Sequence, residues 1–191
     1  YILPGILGEF QKSYPPVQIR MQITNSNQVI EDILNNKIEL GIIGGRGEYP
    51  PAIKARTFFQ DRLVVITPPS FPAKGPRISP GQLEGQEFII REKGSNTGKY
   101  TRDLLKQVGS SESPGLELTT PEAIKEAVQA GLGISLISSQ AVKKEVSLGT
   151  LKAYLLEGFN AFRPLDLIWH KDKHLNQLIT AFLQYIEKYQ P

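Results

Sequence analysis

The stretch from Thr24 to Gly45 constrains the fold of this chain more than any other. Asn25 followed three residues later by Gln28 is typical of a helix start, because short polar side chains accept hydrogen bonds from the amides of a first turn. Apolar residues then recur at helical spacing, and the unbroken run from Ile38 to Ile43 is typical of a strand that is buried on both faces. The stretch therefore predicts a helix that leads into a buried strand.

The residues before this stretch predict one more helix and one more strand. An apolar stripe at helical spacing covers Leu3–Ser13, and apolar and polar residues alternate over Val17–Ile23 with the period of a strand that has one buried face. Together with the Thr24–Gly45 stretch they give the order α-β-α-β. That order predicts a parallel sheet with right-handed crossovers.

The rest of the chain repeats this alternation on both sides of a proline-rich segment, which runs from Pro68 to Gly81. Strands are predicted at Ala55–Phe59, Arg62–Thr67, Glu87–Arg91, Leu116–Thr119, Ile134–Ile137, Leu151–Leu155 and Leu165–His170, and helices at Thr97–Val108, after Thr120, at Ser139–Val146 and near the end of the chain. Because the proline-rich segment is short and stiff, it predicts a subdomain boundary rather than a flexible linker. We therefore expect two α/β lobes joined by two strands, with a ligand cleft lined by strand ends and helix starts.

The composition excludes several kinds of site. The chain has no Cys, so it has no disulfide and no thiolate metal site, and a reducing compartment such as the cytoplasm is expected. No apolar run is long enough to cross a bilayer, so no membrane contact is expected. The net charge is +3, but Lys and Arg residues are scattered, which argues little for nucleic-acid contact by these 191 residues.

Signals for catalysis and for cofactors are weak. His170 and His174 are four residues apart, but a strand end and a loop separate them and no carboxylate completes a metal signature. Gly131 and Gly133 precede a strand rather than open a helix, unlike the glycines of a nucleotide-binding loop. Ser95 is not in the strand-turn-helix context of a hydrolase nucleophile. We therefore predict no catalytic residue, no metal and no cofactor, and a protein that is not an enzyme.

Several polar positions can either bind an anion or serve the structure alone. Ser95 and Thr97 are able to donate hydrogen bonds to an anion, or only to cap the helix that follows. Thr120 lies at a strong helix start, where its hydroxyl can cap the helix and still donate its hydrogen to a ligand oxygen. Arg91, at a predicted strand end, is either an anion partner or an ordinary surface charge.

Several short motifs follow one another along nearly the whole chain. They are Leu3-Pro4 with Phe10 and Tyr14-Pro15, Asn25-Ser26, Lys37-Ile38-Glu39-Leu40-Gly41-Ile42, Leu63-Val64-Val65-Ile66, Arg91-Glu92-Lys93-Gly94-Ser95 and Ala127-Val128-Gln129-Ala130-Gly131-Leu132-Gly133-Ile134-Ser135. In these motifs and their order the chain resembles the effector-binding domain of LysR-type transcriptional regulators.

The resemblance implies an α/β fold with two Rossmann-like subdomains joined by two crossover strands, similar to type 2 periplasmic binding proteins. Subdomain I would comprise residues 1–67 plus 163–191, and subdomain II residues 68–162. The family's N-terminal DNA-binding winged helix-turn-helix would lie before Tyr1, and we expect it to be absent from this fragment.

The resemblance also implies a site for a small effector, often a carboxylate, a sulfur metabolite or another anion, held between the subdomains. The residues expected to bind it are Asn25, Ser26, Asn27, Arg91, Ser95, Asn96, Thr97, Thr119 and Thr120. Within the family, the serine-bearing loop and the Thr-rich helix start favour small inorganic or sulfur-related anions.

These observations predict a ligand-sensing regulatory domain that binds a small anionic effector and thereby controls DNA binding and transcription. Two other functions stay open. A solute-binding protein of a transport system is disfavoured by the hinge motifs, and a two-lobed α/β enzyme by the lack of an assembled acid, base or nucleophile. The resemblance further implies a homodimer, or a tetramer at full length, with DNA bound only through the winged helix-turn-helix. Part of the dimer surface is predicted at the helix Ser26–Asn36 and the strand before it.

Overall fold

The computed structural model describes residues 1–45, 48–109 and 115–188 of the chain. These residues form a mixed α/β structure that divides into two compact units. Unit 1 consists of Tyr1–Gln60 and Pro164–Pro191, and unit 2 consists of Asp61–Arg163. Within the described ranges, no helix has both the length and the apolar character that crossing a membrane requires.

The helices of the described chain are α1 (Leu3–Ser13), α2 (Ser26–Leu34), α3 (Asn96–Gln107), α4 (Pro121–Gln129), α5 (Lys143–Ser147) and α6 (Gln177–Glu187). Its strands are β1 (Gly41–Gly44), β2 (Ile53–Thr67), β3 (Arg77–Ile78), β4 (Ile89–Arg91), β5 (Leu116–Leu118), β6 (Ser135–Ser138), β7 (Lys152–Leu156) and β8 (Phe162–His170). The unit boundary falls inside β2 and inside β8, so the chain passes from one unit to the other within these two strands.

In unit 1, β8 separates two apolar clusters. Leu167 and Trp169 pack with the apolar faces of α1 and α6, where the Phe10 and Phe182 rings meet edge to face at 5.1 Å. Ile168 points to the other side and packs with α2, β1 and β2. Successive strand side chains point to opposite faces, so each cluster receives every second residue of β8.

Two predictions for unit 1 are wrong. Val17–Ile23 has no regular secondary structure, and Ile19, Met21 and Ile23 are exposed. An alternating pattern gives a strand only where a neighbouring backbone supplies ladder hydrogen bonds, and no strand of the described chain pairs with this segment. The predicted parallel pairing of the first two strands therefore does not form. Instead, β1 pairs antiparallel with β8, with Gly41 opposite Ile168.

In unit 2, β2 lies between two apolar clusters and pairs antiparallel with both β6 and β7. Leu63 and Val65 belong to one cluster, whereas Val64 and Ile66 belong to the other. All four side chains are buried, which explains why this strand is an unbroken apolar run rather than an alternating one.

The two strands predicted at Ala55–Phe59 and Arg62–Thr67 form one strand, β2. Of the two polar residues between them, Gln60 and Asp61, the buried one is Asp61, whose carboxylate accepts hydrogen bonds from Ser138 and Arg163. The helix predicted at Ser139–Val146 is divided into a 3-10 turn at Ser139–Ala141 and α5, with Val142 between them. The remaining helices lie where they were predicted, within a few residues.

Candidate functional site

Two helices of unit 2 begin beside each other because they follow neighbouring parallel strands. Strands β4 and β5 pair in parallel, with Arg91 opposite Leu118, and the amide of Glu92 donates to the Leu118 carbonyl at 3.2 Å. The loop after β4 leads into α3, and Thr119 and Thr120 lead from β5 into α4. The carboxyl end of a parallel strand pair, where helices start, is the usual place for a ligand in an α/β structure.

The first turn of α3 holds three of the predicted ligand residues. Ser95 is the N-cap, and its hydroxyl accepts from the Gly98 amide at 3.4 Å. Ser95 and Asn96 are buried, whereas Thr97 is half-buried. This turn packs against the end of β4, because a Cβ at Gly98 would lie 2.6 Å from the Arg91 carbonyl oxygen.

The start of α4 is also capped as predicted. The Thr120 hydroxyl accepts from the Ala123 amide at 3.1 Å, Pro121 occupies the first turn, and Glu122 places a carboxylate at the positive end of the helix dipole. Thr119 and Thr120 are exposed. Accepting the cap bond uses one lone pair, so the Thr120 hydroxyl still has a hydrogen to donate.

Arg91 forms an ion pair with its sequence neighbour, Glu92. Its Nε and Nη2 atoms donate to the two carboxylate oxygens of Glu92, at 2.7 and 3.0 Å, and both side chains are largely buried. A two-point pair of this kind is the stronger class of charged hydrogen bond. The Arg91 charge is therefore compensated within unit 2, next to the start of α3.

A second buried arginine contacts a predicted ligand residue, and the sequence analysis missed it. Arg163 donates to the Asp61 carboxylate through Nε at 2.9 Å and to the Thr97 hydroxyl through Nη1 at 2.6 Å, and its Nη2 lies 2.8 Å from the same Asp61 oxygen. Asp61 also accepts from the Ser138 hydroxyl at 2.7 Å. The available signal was that Asp61 and Arg163 each precede the apolar part of a strand, but 102 residues separate them and no local pattern links them.

The other predicted ligand residues lie in unit 1, at the start of α2. Asn25 is the N-cap, and its side-chain oxygen accepts from the Gln28 amide at 3.0 Å. Ser26 is half-buried and Asn27 is exposed. Asn25, Ser26 and Asn27 thus form a capped helix start with polar side chains and a positive dipole end.

All nine predicted residues are therefore near helix starts or, for Arg91, at a strand end. Arg91, Ser95, Asn96, Thr97, Thr119 and Thr120 are in unit 2, and Asn25, Ser26 and Asn27 are in unit 1. In unit 2, Arg91 and Arg163 are both paired with carboxylates. The hydroxyls and first-turn amides at the starts of α3 and α4 are further donors of the kind that binds small anions.

Comparisons with known proteins agree on one family. A family model described as LysR substrate binding domain matches residues 1–191. The HTH-type transcriptional activator CmpR of Synechocystis sp. (strain ATCC 27184 / PCC 6803 / Kazusa) is 34% identical over 190 residues, which are 97% of this chain and 61% of CmpR. An uncharacterized HTH-type transcriptional regulator of Escherichia coli (strain K12), YeiE, is 32% identical over 188 residues, which are 98% of this chain and 64% of YeiE. The chain thus spans less than two thirds of the length of these relatives.

A solved structure has the same fold. The regulatory domain of CcmR from Synechocystis PCC6803, in complex with 2-PG, superimposes with a TM-score of 0.88 at 30% sequence identity. The match covers 98% of this chain and 90% of that domain. This chain therefore has the α/β fold of a known regulatory domain.

Proposed function

This chain belongs to the LysR substrate binding domain family, and we propose on this basis that it is the effector-sensing domain of a transcriptional regulator. The observation that carries the proposal is the family match over the whole chain. Relatives that are named transcriptional regulators give further support. Those relatives are longer than this chain, so DNA contact is assigned to a part of the full-length protein outside it. Such a regulator acts in the cytoplasm.

The effector is a small anion bound by the polar helix starts. Its proposed ligands are Asn25, Ser26 and Asn27 at α2, Ser95, Asn96 and Thr97 at α3, Thr119 and Thr120 at α4, and the strand-end residue Arg91. Support comes from the three capped helix starts, whose amides and hydroxyls are anion donors. It also comes from the CcmR regulatory domain, which is 30% identical and holds 2-PG.

Sensing of this kind needs no chemical step, so the proposed domain is not an enzyme. An effector shifts an equilibrium between two states of a protein only by its difference in affinity for them. Hydroxyl and amide donors supply affinity and selectivity for an anion without an acid, a base or a nucleophile. The effector would bias the DNA-binding part of the regulator through this difference in affinity.

Thermal unfolding with a ligand panel tests the proposal. The panel contains 2-PG, sulfate, thiosulfate, small carboxylates and acetylserine, with glycerol as an uncharged control. An anion present at one hundred times its dissociation constant should raise the free energy of unfolding by about 2.7 kcal/mol. A chain that responds to none of the anions would contradict the proposed effector class.

The same assay tests the proposed residues. Ser26→Ala and Thr120→Ala should each reduce the shift caused by the binding anion, because each removes a hydroxyl donor. Thr120→Ala also removes a helix cap and lowers stability by about 1 kcal/mol without ligand. Asn176→Ala is the matched control, since Asn176 caps α6 at 2.8 Å and is not a proposed ligand. An undiminished shift in both site variants would place the site elsewhere.

A further inference from the structure

The guanidinium of Arg163 is held on two sides inside unit 2. Asp61, which is only 1% exposed, accepts a hydrogen bond from Nε through Oδ2, and Nη2 lies 2.8 Å from the same oxygen. The Asp61 carboxylate is held in turn by the Ser138 hydroxyl, and Nη1 donates to the Thr97 hydroxyl at 2.6 Å. A planar guanidinium that meets a carboxylate through two nitrogens and a hydroxyl through the third is held in one orientation, so the position of Nη1 is set by the fold.

This contact determines how the Thr97 hydroxyl is used. Arginine can only donate hydrogen bonds, so the Thr97 oxygen must accept from Arg163. The hydroxyl has one hydrogen, which is then donated in another direction. Because the accepted bond comes from a cation, it polarises the O–H group and makes it a stronger donor.

We propose that Arg163 is a positioning residue for effector binding, which orients the Thr97 hydroxyl as an obligatory donor to an anionic oxygen of the effector. The inference rests on the proposed function, in which Thr97 contacts the effector. It adds a specificity rule: the effector atom at Thr97 is a hydrogen-bond acceptor, such as a carboxylate, phosphate or sulfate oxygen. An ammonium group at that place would meet a donor and would be rejected.

The position of Thr97 supports this role. Thr97 is half-buried, whereas Ser95 and Asn96 before it are buried, so part of the Thr97 side chain is open to solvent. It is the second residue of α3, where the helix dipole favours an anion. Arg163 and Asp61 are themselves buried, and the cost of removing both charges from water is offset only when their remaining hydrogen bonds are made.

Titration calorimetry with 2-PG and with sulfate, on the whole 191-residue chain, tests the inference. Thr97→Val removes the hydroxyl at nearly constant shape and should weaken binding of the anion about tenfold, as expected for a lost hydrogen bond to a charged group. Thr97→Ser keeps the hydroxyl and should bind within about twofold of the wild type. Thr101→Val is the matched control, because the Thr101 hydroxyl donates to the Thr97 carbonyl, one turn along α3, and does not meet Arg163.

A double-mutant cycle separates positioning from general stabilisation. Arg163→Lys should also weaken binding about tenfold, because an ammonium cannot bind Asp61 at two points and still reach Thr97. In a chain that already carries Thr97→Val, Arg163→Lys should add no more than about twofold, since the group through which it acts is missing. Ser138→Ala removes the hydrogen bond to Asp61, together with the cap bond that the Ser138 hydroxyl accepts from the Gln140 amide, and should give an intermediate loss. It provides a milder variant in case the arginine substitution unfolds the chain.

The outcomes are distinguishable. Losses from Thr97→Val and Arg163→Lys that multiply would mean independent roles and would overturn the positioning inference. Wild-type affinity in Thr97→Val would also overturn it while leaving the proposed function in place. A wild-type chain that binds none of the anions of the panel, 2-PG and sulfate included, would contradict the proposed anion sensing and this inference together.

Discussion

Lys125 and Glu145 form an ion pair inside unit 2 that is largely shielded from water. The Lys125 ammonium lies 2.7 Å from one Glu145 carboxylate oxygen, and the two side chains are 10% and 17% exposed. Burial alone would raise the pKa of Glu145, but the hydrogen bond from Lys125, a backbone hydrogen bond and nearby ammonium charges together lower the pKa below its usual value. The second carboxylate oxygen is buried and accepts no hydrogen bond from the residues that the structure describes. The negative charge of Glu145 is therefore compensated by Lys125.

Lys125→Met should lower the free energy of unfolding by roughly 3 kcal/mol near pH 7, because it leaves a buried carboxylate without its opposite charge. A lowered pKa in the folded state stabilises the protein above the unfolded pKa, and this contribution is lost as the pH falls through the folded pKa. The difference between wild type and variant should consequently shrink as the pH falls through the usual range of a glutamate carboxyl, where the unpaired carboxylate of the variant takes up a proton before the paired one of the wild type. Urea unfolding at several pH values measures this difference in the free energy of unfolding.

A compensating variant provides the control for this prediction. Lys125→Met combined with Glu145→Leu removes both charges and should recover most of the lost stability, as paired removal of buried charges often does. A double variant that is as unstable as Lys125→Met alone would show that packing, and not the unpaired charge, causes the loss.

At the scale of single elements, the close packing of α3 against the end of β4 determines where the candidate site lies. Gly98 allows the first turn of α3 to approach the Arg91 carbonyl oxygen, because any Cβ there would be 2.6 Å from that oxygen. The neighbouring atom is backbone, so it cannot move aside without displacing β4. The glycine thus positions the Ser95 cap and Thr97 together.

Gly98→Ala should lower stability by about 1–3 kcal/mol, in the range of an overpacked core substitution, and should also weaken anion binding because α3 moves. Gly8→Ala is the matched control, since Gly8 lies within α1 and a Cβ there meets nothing within 4 Å. That control should be stabilising by roughly 0.5–1 kcal/mol, because glycine disfavours a helix interior. Thermal unfolding of both variants, with and without 2-PG, gives the comparison, and an equal response of the two would contradict the role of Gly98.

At the scale of the whole molecule, we propose that the chain forms a homodimer through the Val17–Ile23 segment and α2. The segment carries alternating apolar residues, and Ile19, Met21 and Ile23 are 37%, 45% and 85% exposed. Apolar side chains that lie together on a surface are typical of a contact with another protein. The proposed occupant is a second copy of this chain, in keeping with the homodimer that the family resemblance implies.

Ile23→Glu should convert this dimer to a monomer, because burying an unpaired carboxylate in an apolar contact is costly. Sedimentation velocity over a range of concentrations measures the change. Leu148→Glu is the matched control: Leu148 is 67% exposed in unit 2 and lies outside the proposed surface. A wild-type chain that is monomeric at all concentrations, or an Ile23→Glu variant that stays dimeric, would contradict the proposed surface.

Much of the local structure follows from the sequence because its causes lie within a few residues. The caps of α2 and α4 form within three residues of Asn25 and Thr120, so the sequence alone identifies both helix starts. The apolar run of β2 likewise indicates a strand buried on both faces. The motifs that carry the family resemblance are also local, and through them the sequence predicts the polar helix starts as ligand positions.

Other features depend on partners that are distant in sequence, and only the tertiary structure decided them. The alternating pattern of Val17–Ile23 requires a neighbouring strand, and no described strand pairs with it, so local periodicity alone was insufficient. The direction of β1 depends on β8, which lies more than one hundred residues later, roughly the spacing that also separates Asp61 from Arg163. Pairing of distant strands and charges is set by packing of the whole unit, and for that reason the contact between Arg163 and Thr97 could not be predicted from the sequence.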